Sequence, residues 1–137
     1  MNSSGPPRWL RAVIGVGVVY LVAGVTFAAL SAASNQMRVT WRVAAWVISA
    51  AAFAAHLGYE QVRPRSSPGT TALHAALAVA LGAFGVAVAA NVHAQAAAIH
   101  QRSVGLALVL WPVVTALPAF VVALAAAAVL ARTRPPP

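Results

Sequence analysis

Residues 103–131 read SVGLALVLWPVVTALPAFVVALAAAAVLA, 29 positions without a charged side chain, closed by Arg102 before and Arg132 after. A helix needs about 20 apolar residues, within a range of about 17–25, to cross the hydrocarbon core of a bilayer. This run is longer than a perpendicular crossing requires. Pro112 and Pro118 inside it point to a tilt or a bend.

The same pattern recurs upstream. Charge-free runs cover residues 12–37, 43–59 and 66–101, set off by Arg8 and Arg11, by Arg38 and Arg42, by Glu60 with Arg63 and Arg65, and by Arg102. Each run holds one crossing and none comfortably holds two. Isolated apolar runs of this length must satisfy their own backbone groups, so helix is the expected element. The apolar–polar alternation of barrel strands is missing. The expectation is an all-α integral membrane protein, a four-helix antiparallel transmembrane bundle. Its helices should lie at about 10–33, 41–60, 70–99 and 104–130, in a single domain over residues 1–137 with flexible ends at 1–7 and 133–137. The short linkers at 34–39 and 101–103 make antiparallel hairpins of helices 1–2 and 3–4. Pro64, Ser66, Ser67, Pro68 and Gly69 mark a loop between them.

Composition agrees with the placement of charge. Apolar residues make up 61% of the chain and charged residues 7%, against about 25% charged in a soluble domain. There are nine Arg, no Lys, no Cys and one acid, Glu60, and alanine alone fills 35 positions. A soluble enzyme with a solvated charged surface, a disordered chain, a disulfide scaffold and a Cys-based metal site are all excluded. Residues 8–34 resemble a signal peptide in outline, but their apolar stretch exceeds the roughly 7–15 residues of a signal core.

The net charge of +8 invites a nucleic-acid reading, which needs an Arg/Lys stripe on one exposed face. Here the arginines come in ones and twos at helix ends, where they snorkel to headgroups. The partners expected are therefore the lipid bilayer and other membrane helices, with no nucleic acid. Six arginines fall on the side of the termini and three on the other, which places both termini in the cytoplasm of a bacterial inner membrane. Trp9, Trp41, Trp46 and Tyr59 near helix ends fit an interfacial aromatic belt.

Within the bilayer, helix 2 carries a stripe of Arg42, Trp46, Ser49, Phe53, His56 and Glu60, expected to face inward because unpaired polar groups are costly in lipid. Gly17, Tyr20, Gly24, Phe27 and Ser31 share a face of helix 1, while His74, Ala78 and Gly85, with Gly82 nearby, share one of helix 3. Gly17, Gly24, Gly82 and Gly85 are expected helix-packing positions, since small residues let backbones approach. Helix 4 offers Gly105, Pro112, Thr115 and Ala119.

The distinctive cluster is His56 and His74, at similar depth on either side of the 61–69 loop, with Glu60 one turn closer to that loop. Its plainest role is structural, the imidazoles pairing with Glu60 or with backbone carbonyls. Two alternatives use the same residues. His56, Glu60 and His74 are a minimal ligand set for a divalent metal, and His56 with His74 are a potential axial pair for haem. His93 and His100, with Asn91 and Gln95, sit at the other end of helix 3 and read as an interfacial helix end.

Catalysis lacks its parts: a single carboxylate removes paired-carboxylate mechanisms, and nucleophile elbows, zinc-protease helices and phosphate loops are missing. Ser49 and His56 are about 10 Å apart, two helical turns, too far for a nucleophile–base bond. The functional expectation is a small non-enzymatic inner-membrane protein acting as a homo-oligomer or as an accessory subunit of a membrane complex, with no cofactor as the plain reading. Alternatives are a small oligomeric transporter or channel with a polar lane of Ser49, His56, Glu60 and His74, and a haem- or metal-binding bundle.

Overall fold

The computed structural model describes residues 5, 7–62, 66–96 and 103–133. The chain forms four helices in order, α1 (Arg8–Ala33), α2 (Arg38–Val62), α3 (Pro68–Ala96) and α4 (Ser103–Arg132). All four are long and apolar enough to cross a membrane, and they pack as an antiparallel four-helix bundle. The expected extension of α3 through residues 97–99, His100, and most of the two chain ends lie outside the described residues.

Local chemistry sets the helix ends. Pro7 precedes α1, and its carbonyl accepts the amides of Leu10 and Arg11. Ser34, with extended backbone, stops α1, and its hydroxyl accepts the Met37 amide at 3.3 Å to turn the chain into α2. Ser67 begins α3. Its Oγ accepts the Thr70 amide at 3.2 Å and its carbonyl accepts the Thr71 amide at 2.9 Å. Pro68 then occupies the first helical position, where its missing N–H costs nothing. Pro68 and Gly69, expected in the loop, thus belong to the helix. α4 runs on through Pro112 and Pro118, and the Thr115 hydroxyl donates to the carbonyls of Trp111 and Pro112.

α3 is the centre of the bundle, making the two most extensive helix interfaces, with α4 and with α1, whereas α1 and α4 do not meet among the described residues. The α1–α3 seam is made by glycines on both sides. A Cβ on Gly17 would strike Leu81, one on Gly24 would strike Val86, and one on Gly85 would strike Leu21. On Gly82 it would lie 2.4 Å from Cβ of Tyr20 and 3.1 Å from the Gly17 carbonyl oxygen. The helices approach this closely only because those side chains are missing. The register 17–81, 20–82 and 24–86 shows α1 and α3 running in the same direction, as alternate members of an up-down bundle must. Gly105, by contrast, faces open space.

α3 and α4 meet through alanines, with Ala72, Ala75 and Ala78 of α3 and Ala123 and Ala127 of α4 almost fully buried. Leu57 of α2 joins Ala72, Ala75 and Ala123 in a core cluster against which Phe53 and Phe120 pack. Elsewhere the outer faces are apolar. On α4, Leu106, Val109, Leu117 and Val121 are all more than 60% exposed, as suits a surface solvated by acyl chains.

Candidate functional site

The polar interior gathers at one end of the bundle, where α2 ends and α3 begins. Glu60 and Thr71 are the largest side chains with no exposure at all, and His56, Gln61 and His74 are buried around them. Glu60 is held from two directions. The Ser66 hydroxyl donates to its Oε2 at 2.8 Å, and the Ser66 amide donates to its backbone carbonyl at 3.3 Å. From α3, Nδ1 of His74 stands 3.2 Å from the same Oε2. One position along, Gln61 Nε2 donates to Thr71 Oγ1 at 3.1 Å. These contacts staple the end of α2 to the start of α3, two helices that touch little elsewhere.

The His74 ring also stacks on Trp9 of α1, with centroids 4.9 Å apart and planes 6° from parallel. Three helices therefore converge on this imidazole: α3 carries it, α2 supplies its carboxylate and α1 covers one face. Its approach to Glu60 has the distance of an ion pair without the alignment of a hydrogen bond. His74 Nδ1, Glu60 Oε1 and His56 Nε2 are accordingly buried polar atoms without hydrogen-bond partners among the described residues. Each such atom carries a desolvation cost of about 1–3 kcal/mol, so this end of the bundle is costly to form.

The structure brings together some of the expected residues and separates others. Glu60 meets His74, whereas His56, one turn deeper on α2, has no bond to either of them among those formed. Ser49 lies two turns beyond His56 and is half-buried, with Phe53 between them packed on the core. The α2 stripe does not face inward along its whole length. Arg42 and Trp46 are exposed, Trp46 by 77%, because α2 joins the core only at its C-terminal end and its first half packs beside α1. There Trp41 and Phe27 meet with ring centroids 6.2 Å apart. Among the described residues, no group of three His, Cys, Asp or Glu side chains is placed to hold a metal ion. His74, stacked on Trp9 and set against Glu60, offers the haem reading no supporting feature. His93 is exposed.

Ser66, Gln61, Thr71 and Trp9 are the members of this site that periodicity does not reveal. Ser66 reaches Glu60 through a loop, and Trp9 reads as one more interfacial aromatic. The only sequence signal for them is nearness to the same membrane boundary as Glu60.

Comparison with known proteins found no match: no family model fits the chain, and no characterised protein or solved structure is similar to it.

Proposed function

We propose that this is a small non-enzymatic membrane protein that works by helix–helix association, as a homo-oligomer in the first instance or as an accessory subunit of a membrane complex. The observation that carries the reading is the outward face of α2. Ala50 and Ala54 are exposed, and a Cβ on Gly58 would meet nothing within 4 Å. Spaced four apart, the three lie on one face, an open small-xxx-small track of the kind that seats a second helix. Gly17, Gly24, Gly82 and Gly85 do not serve this purpose, being occupied in the α1–α3 seam inside one chain. The non-enzymatic part is supported by Glu60, the sole acid, which is fully buried and engaged by Ser66 and His74.

The chain contains no Cys, so single-cysteine variants test the face directly. Oxidation in native membranes should cross-link Ala54→Cys into dimers far more efficiently than Val121→Cys on the outer face of α4. Equal cross-linking at the two positions would overturn the assignment.

A second reading, a small oligomeric transporter or channel, is favoured by the buried polar atoms of His56, Glu60 and His74, since intramembrane ionisable groups commonly mark ion or substrate paths. Flux in proteoliposomes decides it, and a rate unchanged in His56→Ala and Glu60→Gln would remove that path.

A further inference from the structure

Between α1 and α2, on the same end of the bundle as Glu60, lies an open groove of about 590 Å³, within the range of about 300–1,000 Å³ usual for ligand sites. Its mouth is formed by Arg8 and Arg11, and Val16, Val19 and Ala52 make its apolar walls, with His56 on the inner side. From Arg8 to Val19 the groove follows α1 for about 16 Å at 1.5 Å per residue, from the helix end into the apolar span.

Three features of this groove go together. Its mouth carries two exposed cations, and the chain's single acid is already engaged with His74 and Ser66, so no acidic side chain is left for them. Its walls are apolar. Its inner side holds a histidine only 3% exposed whose Nε2 has no hydrogen-bond partner among the described residues. We propose that the groove is a binding site for an anionic phospholipid of the surrounding bilayer. The headgroup phosphate and its negative charge sit on Arg8 and Arg11, and one acyl chain lies along Val16, Val19 and Ala52. Charge complementarity selects an anionic over a zwitterionic headgroup, and the depth of the apolar wall selects a lipid over a soluble anion.

A second groove, of about 460 Å³ at the other end of the same helix pair, has Arg38 and Arg42 at its edge. No unpartnered buried imidazole lines it, and it serves as the internal control.

The test is native mass spectrometry of the full chain released from nanodiscs made of equal phosphatidylglycerol and phosphatidylcholine. Phosphatidylglycerol should be the retained lipid. With about 1 kcal/mol, or five-fold, for each arginine that touches the bound headgroup, Arg8→Gln with Arg11→Gln should lower that preference about 30-fold. Arg38→Gln with Arg42→Gln should leave it in place. Ala52→Leu, which fills the groove and keeps both arginines, should also reduce retention.

Equal retention of the two lipids would overturn the proposal, as would an equal loss on removing Arg38 and Arg42, which would mean diffuse attraction to the basic chain. Displacement of the lipid by inorganic phosphate, with Ala52→Leu silent, would reduce the site to a surface anion contact and overturn it too.

Discussion

Replacing Gly82 by alanine puts the α1–α3 seam to its most direct test. The new Cβ would stand 2.4 Å from Cβ of Tyr20 and 3.1 Å from the Gly17 carbonyl oxygen, whereas carbon atoms rest at about 3.5–4.0 Å. Neither obstacle is the far end of a flexible side chain, so the two helices must separate by roughly 1 Å. Overpacking of this kind costs about 1–3 kcal/mol, and a rigid obstacle belongs in the upper part of that range. Exchanging a helical glycine for alanine returns about 1 kcal/mol, leaving a net loss of about 1–2 kcal/mol. Gly15→Ala is the matched control. It lies on α1, the other helix of the seam, on a face turned away from α3, with nothing within 4 Å of its added Cβ, and should gain up to about 1 kcal/mol. Reversible unfolding in mixed micelles, with SDS as denaturant and circular dichroism as the readout, measures both variants on one scale. If Gly82→Ala proves as stable as Gly15→Ala, the glycine seam is not what brings α1 against α3.

Three further outcomes follow from the polar end of the bundle. Glu60→Ala takes the carboxylate away from the Ser66 hydroxyl and the buried His74 ring and should cost about 1–3 kcal/mol, the usual result of orphaning a buried polar group; in the same assay, adding His74→Leu should cost much less than the sum of the single changes. Ser66→Ala removes a hydroxyl donor from a buried carboxylate, a loss of about 1.5–3 kcal/mol, and faster amide exchange should be confined to the end of α2 and the start of α3. Ser67→Ala removes the cap of α3 and should cost about 1 kcal/mol, with Ser67→Asn restoring most of it.

Much of the fold is legible in the charges alone. Arg8, Arg38, Glu60 and Arg132 fall at or within two residues of helix ends, because a charge at mid-bilayer is expensive and a bilayer has one thickness. The start of α3 is missed by two residues, since Pro68 and Gly69 read as loop formers until Ser67 is recognised as their cap. The site is legible only in part. Glu60 and His74 stand out as buried ionisable residues on either side of one loop, and they do meet. The supposition that the whole α2 stripe faces inward fails at Trp46, which is exposed because a helix can leave the core part-way along its length.

From the sequence alone follow the number of spans, their limits and their preference for a membrane, each a local balance between apolar length and the cost of burying charge. Tertiary structure decided which faces meet: that α3 is central, that Gly17, Gly24, Gly82 and Gly85 form the α1–α3 seam, and that Ser66 and His74 engage Glu60, with Trp9 stacked on His74, while His56 borders an open groove. The physical reason is that acyl chains are as apolar as leucine. In water, hydrophobic periodicity tells a helix which face to bury; in lipid both faces are apolar, and helix rotation is settled by close steric fit and by the few polar groups that must find partners.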